Sequence, residues 1–155
     1  MSDAELATQL ARDTGRLLVE LRDRLAGEGA SPWHLMDAGD ALAHRFIVDT
    51  LRRDRPNDAV LSEEGADDAA RLSAQRVWIV DPLDGPSEFG EDGREDWAVH
   101  IALWDRQAGT SGDLVAAAVA LPALDTTLST LPPPPVPNRQ DRTPLMVVSR
   151  SRTPA

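Results

Sequence analysis

The stretch of sequence that decides the fold is Trp78-Ile79-Val80-Asp81-Pro82-Leu83-Asp84-Gly85. Residues 77–80 form a short apolar run that is rich in β-branched side chains and bounded by polar residues, and such a run predicts a buried strand. The run stops at Asp81 and Asp84, with Pro82 fixing the backbone between them. Gly85 then permits a turn. We therefore expect a strand that ends in two closely spaced carboxylates.

Carboxylates at the end of a buried strand need a compensating charge, because an unpaired buried anion is very costly. A hard divalent cation is one partner, since Mg²⁺ favours oxygen ligands and keeps water molecules for a substrate phosphate. Glu63 adds a third carboxylate upstream, with Glu64 beside it. On their own, however, Asp81 and Asp84 also fit an ordinary turn with a helix cap, because Asp is common in turns.

The composition limits the classes of protein to which this chain can belong. A chain of 155 residues with 41% hydrophobic content suits one domain with a real core. It has no Cys, which excludes disulfides, thiolate zinc sites and cysteine nucleophiles and fits a cytoplasmic location. A net charge of −10 opposes binding to a nucleic-acid backbone. No apolar run approaches the roughly 20 residues of a membrane helix, and the acidic N-terminus lacks a signal segment, so we expect no membrane association.

Two helices are predicted before the strand. Leucines at helical spacing predict the first helix from about Asp3 to Ala26. The second is predicted from about Asp37 or Asp40 to Arg53, after a connector at 31–33. Asp40 then fits an N-cap, because an Asp side chain accepts N–H bonds at a helix start.

The remaining elements are predicted to be strands. They are expected at 60–62, 97–104, 114–121 and 126–131, the last two as a hairpin, and one more at 145–149. Proline-rich residues 132–144 are expected to be a stiff linker, although their P-x-x-P spacing also fits a ligand of SH3-type domains. This divides the chain into an N-terminal metal- and phosphate-binding subdomain (1–131), the linker (132–144) and the start of a truncated second subdomain (145–155).

Several of these segments together resemble one family. The acidic pair in Leu61-Ser62-Glu63-Glu64, the stretch from Trp78 to Gly85, Glu88-Phe89, and residues 31–40 and 96–104 resemble the inositol-monophosphatase-like superfamily. Within it, the chain looks most similar to the 3′(2′),5′-bisphosphate nucleotidases of bacterial sulfate assimilation. The resemblance implies an α+β fold, the N-terminal portion of an αβαβα layered sandwich. It also implies a mixed, largely antiparallel sheet with two N-terminal helices.

The resemblance also implies a Mg²⁺-dependent site that holds two or three ions. Glu63 would be a metal ligand and orient the attacking water, and Asp81 would bridge metals. Leu83 would coordinate through its carbonyl, and Asp84 would hold the second metal. Glu64 would contact these ligands rather than the metal itself.

The resemblance assigns the substrate phosphate to the turn that follows. The phosphate would contact Glu63, Asp84, Gly85, Pro86 and Ser87. Backbone N–H groups at a helix start favour anions, which suits this placement. Asp40, the other catalytic candidate beside Glu63, would support a catalytic threonine. Pro86 stands where the family has that threonine, and it lacks both the hydroxyl and a backbone N–H.

The implied reaction is removal of the 3′-phosphate from adenosine 3′,5′-bisphosphate or its phosphosulfate. One alternative is an inositol or fructose phosphate phosphatase. The other is a catalytically inactive, truncated or degenerate family member, because of Pro86 and because only the N-terminal half of the family's domain is matched. The expected partners are a small-molecule phosphate ester and, through exposed strand surface, further copies of the chain.

Overall fold

The structure is a computed structural model that describes residues 1–65 and 69–136. Two long helices, α1 (Asp3–Gly27) and α2 (Pro32–Asp54), precede the sheet. The strands are β1 (Ala59–Ser62), β2 (Arg76–Asp84), β3 (Ala98–Asp105), β4 (Asp113–Leu121) and β5 (Thr126–Ser129). A short helix, α3 (Pro86–Gly90), joins β2 to β3. None of the described helices is both long and apolar enough to cross a membrane.

The strands form one mixed sheet in the order β1-β2-β3-β4-β5. β1 and β2 are parallel, and every other neighbouring pair is antiparallel. The β4–β5 pair is the predicted hairpin. The register of β2 against β3 is interrupted between Asp81 and Asp84, so the chain bulges where the two carboxylates lie. The predicted mixed, largely antiparallel sheet with two N-terminal helices is confirmed.

Helix α1 begins at a capping box. Glu5 N donates to Ser2 Oγ at 3.2 Å, and Ser2 N donates to Glu5 Oε2 at 2.7 Å. Its leucine stripe is buried against the sheet, as the spacing predicted. The predicted end at Ala26 differs by one residue, because the helix continues to Gly27.

The start predicted for the second helix is wrong. The helix begins at Pro32, with Ser31 as its N-cap, and Ser31 Oγ accepts a hydrogen bond from His34 N at 3.3 Å. The predicted connector at 31–33 is therefore the helix start, because proline is comfortable in the first turn, where its missing N–H has no helical partner anyway. Asp40 consequently lies inside the helix and is no N-cap.

The core lies between the helices and one face of the sheet. Trp78 and Val80 of β2 are buried there, together with Val99, Ile101 and Leu103 of β3. The opposite face of the sheet is less well covered. The run at 77–80 was predicted to be buried, but it is buried only in part, because Ile79 points to this opposite face and is 40% exposed. Apolar residues therefore line an outer sheet face that the described residues leave open.

Some predictions concern residues that the structure does not describe. The expected strand at 145–149 and most of the linker at 132–144 lie outside the described residues. The division into subdomains at residues 131 and 144 therefore stays a prediction. In the polar segment after Gly65, a single turn of 3₁₀ helix is present at Ala69–Leu72.

Candidate metal and phosphate site

The predicted carboxylates meet where the two parallel strands end. In the register of β1 and β2, Ser62 lies beside Val80, so the residues that follow them, Glu63 and Asp81, emerge at the same edge of the sheet. The backbone fixes this placement, since Glu63 N donates to Val80 O at 3.3 Å. The structure therefore brings together two side chains that are 18 positions apart in the sequence.

The proximity of these groups changes the protonation of Asp81. The pKa of Asp81 is raised from 3.8 to about 6, mainly by burial and then by the negative charges of Glu63 and Asp84. A hydrogen bond between the Asp81 and Glu63 side chains acts in the same direction, because it favours the protonated form, while His100 opposes the rise. This pair of carboxyl groups therefore needs a shared proton or a cation.

Helix α2 adds Asp40 to the same acidic group. The helix packs closely here, because a Cβ on Gly39 would lie 2.8 Å from Phe89 Cε1 and 3.0 Å from Leu83 Cδ2. The pKa of Asp40 is raised from 3.8 to about 6, mainly by burial and then by the negative charges of Glu64, Asp81, Asp37 and Glu63. Asp40 is thus a half-buried carboxyl group that faces carboxylates of two other elements.

The bulge in β2 frees the backbone around Leu83. The register with β3 skips Pro82 and Leu83, so these two residues are not paired in the ladder. The Leu83 side chain is buried at 3% exposure and anchors the bulge in the core. This arrangement is compatible with the predicted use of the Leu83 carbonyl as a ligand, which stays a prediction.

The turn after the bulge depends on Gly85. Gly85 has φ +81°, a left-handed conformation that disfavours other residues. A Cβ there would also lie 3.1 Å from Asp96 O. Helix α3 then begins at Pro86, and Phe89 N donates to Gly85 O at 2.9 Å. Because Pro86 has no N–H, Ser87 is the first residue of this helix that can offer a backbone N–H to an anion.

One residue of the site was missed in the sequence. His100 Nε2 lies 3.0 Å from Asp84 Oδ2, and the register places His100 beside Asp81. The signal was present in the alternation of β3, which puts His100 on the face opposite Val99 and Ile101. An imidazole that contacts a ligating carboxylate fixes its orientation.

The donor set fits a hard divalent cation by its chemistry. Glu63, Asp81 and Asp84 offer carboxylate oxygens, which Mg²⁺ prefers. Burial and the neighbouring negative charges raise the pKa of Asp81, and a bound cation would offset both effects. Among residues 1–65 and 69–136, however, no three acidic or histidine side chains are arranged to enclose an ion. Glu63 and Asp84 are exposed, so we expect their side chains to rotate when an ion binds.

Comparison with known families agrees with this fold. The sequence model of the inositol monophosphatase family matches residues 2–132. The chain therefore belongs to the inositol monophosphatase family, as the residues at the strand ends predicted.

Curated relatives share much of this sequence. The chain is 53% identical over 127 residues to a protein of Mycobacterium leprae named 3′-phosphoadenosine 5′-phosphate phosphatase, covering 79% of this chain and 46% of that protein. It is 47% identical over 150 residues to the Mycobacterium tuberculosis protein of the same name, covering 92% and 54%. For the Escherichia coli K12 protein named 3′(2′),5′-bisphosphate nucleotidase CysQ, the identity is 38% over 106 residues, covering 63% and 41%. The chain spans about half the length of the curated relatives it matches.

Solved structures share the fold. Inositol monophosphatase II of Staphylococcus aureus superimposes with a TM-score of 0.66 at 28% identity, covering 79% of this chain and 44% of that one. SuhB of Mycobacterium tuberculosis superimposes with a TM-score of 0.61 at 26% identity, covering 81% and 42%.

Proposed function

We propose that this chain forms the metal- and phosphate-binding half of a Mg²⁺-dependent phosphomonoesterase that removes the 3′-phosphate of adenosine 3′,5′-bisphosphate or its phosphosulfate. The observation that carries the proposal is the 53% identity to a protein named 3′-phosphoadenosine 5′-phosphate phosphatase, in a segment that includes the acidic strand ends. A role in sulfate assimilation and a cytoplasmic location stay predictions.

The residues of the chain suit this reaction. Mg²⁺ at this site would supply Lewis-acid activation of water and of the phosphate. Glu63, Asp81 and Asp84 would hold it, and His100 orients the carboxylate of Asp84 through its 3.0 Å contact. The backbone N–H of Ser87, in the first turn of α3, would be available to donate to a phosphate oxygen.

A second candidate within the family is a phosphatase for inositol phosphates. A staphylococcal IMPase-II, named SaIMPase-II, has been solved with 2′AMP bound, and this chain superimposes on that structure with a TM-score of 0.68 at 26% identity. A second structure has inositol monophosphate bound, and this chain superimposes on it with a TM-score of 0.59 at 27% identity. One fold thus accommodates both kinds of ligand. The motif shared with this chain recognises metal and phosphate, so the alcohol must be identified by experiment.

A third candidate is a chain that binds metal or phosphate without turnover. Pro86 favours it, because the site then lacks the hydroxyl that the family resemblance places there. Removing one preorganised group of this kind typically lowers the rate by about 10²–10³-fold.

The test measures inorganic phosphate released from adenosine 3′,5′-bisphosphate and from inositol 1-phosphate, with and without Mg²⁺. The parent and its Pro86→Thr variant are assayed side by side. We expect Mg²⁺-dependent release from the nucleotide, faster with the variant. Release from the inositol ester alone would favour the second candidate. If neither chain releases phosphate while both bind Mg²⁺, the third candidate replaces the proposal for this chain.

A further inference from the structure

His44, which is not one of the acidic residues of the site, contacts the end of β1, directly before Glu63 and Glu64. His44 lies one helical turn after Asp40 on α2, so the two side chains are on the same face of the helix. His44 Nδ1 and Ser62 Oγ are 2.9 Å apart, a hydrogen bond whose donor depends on the tautomer of the ring. Ser62 is 8% exposed and ends β1. The His44 ring is half-buried and has Ser62 as a specific partner.

The same imidazole also lies close to the far end of the next turn. Gly65 N donates to Ser62 O at 3.2 Å, which closes a four-residue turn with Glu63 and Glu64 at its centre. A Cβ on Gly65 would lie 3.2 Å from His44 Cε1. The ring therefore lies against the first and the last residue of the turn that carries both glutamates.

Apart from the hydrogen bond from Glu63 N to Val80 O, the described residues give this turn few other anchors. β1 is four residues long and lies at the edge of the sheet, with β2 as its neighbour. The two glutamates are exposed, and their charges repel each other and the other carboxylates of the site. A short edge strand that ends in two carboxylates of like charge needs a contact from a neighbouring element to keep the direction of these side chains fixed.

We propose that His44 is a positioning residue: its contacts with Ser62 and Gly65 hold the turn against α2 and thereby direct Glu63 and Glu64 toward the metal site. The role rests on the proposed function, because it concerns the same site. His44 itself touches neither metal nor substrate in this proposal.

The test compares variants of the whole chain by two measurements. Calorimetry gives the affinity for Mg²⁺, and amide hydrogen exchange of Gly65 without metal reports whether the turn is held. The variants are His44→Ala, Ser62→Ala, the double variant and His44→Asn, whose side-chain amide can take the place of Nδ1. His34→Ala removes an exposed histidine from the first turn of the same helix and serves as the matched control.

We expect His44→Ala and Ser62→Ala each to weaken Mg²⁺ binding by about 10–100-fold, the usual effect of losing a group that orients a ligand. Exchange at Gly65 should rise by roughly three- to tenfold, as for a lost hydrogen bond. The double variant should bind Mg²⁺ no more weakly than the weaker-binding single variant, because each single substitution already removes the same contact between His44 and Ser62. His44→Asn should recover most of the affinity, which a general loss of packing would not allow.

Other results overturn the proposal. Exchange at Gly65 equal in His44→Ala and His34→Ala would show that the ring does not hold the turn. Additive losses in the double variant would show that the two residues act separately. Variants that follow the expected pattern in a chain that hydrolyses no phosphate ester would refute the proposed function and leave the positioning role intact. A parent chain that binds no Mg²⁺ would overturn both.

Discussion

Replacing Asp40 by Asn should stabilise the metal-free protein. Asp40 is a half-buried carboxyl group surrounded by other carboxylates, and its pKa is raised from 3.8 to about 6. At about 1.4 kcal/mol for each pKa unit, ionising it at neutral pH costs at most about 3 kcal/mol of folding stability. Partial exposure to solvent reduces the expected gain from the substitution to about 1–2 kcal/mol.

The gain should depend on pH in a defined direction. The folded-state pKa lies above the unfolded value, so the folded protein binds more protons between about pH 4 and pH 6, and stability falls as the pH rises through that window. Asp40→Asn should therefore match the parent below about pH 4 and exceed it increasingly up to neutral pH. Saturating Mg²⁺ should reduce the difference, because the cation compensates the same repulsion.

The assay is urea unfolding followed by tryptophan fluorescence, with chelator present and over a range of pH. Asp49→Asn is the matched control, since it removes the same charge from an exposed position on the same helix. The midpoint should move for Asp40→Asn with an unchanged m-value. Equal stabilities of the two variants at neutral pH would refute the reasoning, because the effect would then reflect net charge alone. A gain of stability with a loss of phosphatase activity would indicate that this carboxylate serves the site at the expense of the fold.

Three further predictions, one of them with a control variant, concern the packing of the sheet and its open face. Asp58→Ala should lower the free energy of unfolding by about 2–4 kcal/mol in urea, because the carboxylate accepts Trp78 Nε1 at 2.9 Å and pairs with a neighbouring arginine. Gly112→Ala should cost about 1–3 kcal/mol by the same measurement, since its φ is +91° and a Cβ would lie 2.1 Å from an indole ring of β3. Gly93→Ala, with φ +69° and no atom within 4 Å, should cost less, and equal losses would contradict the role of the clash. Ile79→Lys on the open sheet face should keep the chain monomeric at concentrations where light scattering shows the parent associating, and a parent that stays monomeric throughout would contradict self-association through this face.

The elements that the sequence predicted well are those whose burial is visible along a single segment. The leucine spacing of α1 and the alternation of β3 each report one buried face, and both predictions are confirmed. The start of α2 was misplaced because Ser31-Pro32 fits either a connector or a capped first turn. Only the packing of the helix start distinguishes the two.

The site was predictable where its residues belong to a recognisable motif or family resemblance, and unpredictable where tertiary packing alone adds a residue. Asp81, Asp84 and Gly85 belong to one motif, and the structure places them at one bulge and turn. The contact of His100 with Asp84 depends on the register between two strands, and that of His44 with Ser62 on how α2 lies beside β1. Neither follows from spacing along the chain, because both are set by tertiary packing.

Pro86 separates the requirements of the fold from those of the chemistry. It occupies the first position of α3, where its fixed φ suits a helix and its missing N–H costs nothing. Replacing it by Thr should cost only about 0.4–1 kcal/mol, mainly through the greater freedom of the unfolded chain. Urea unfolding of the variant checks this value. A loss above about 2 kcal/mol would mean that the turn depends on proline, since strain from an incompatible backbone is larger than this entropy effect. With a small loss, any gain of phosphatase activity in Pro86→Thr can be attributed to the restored hydroxyl and N–H.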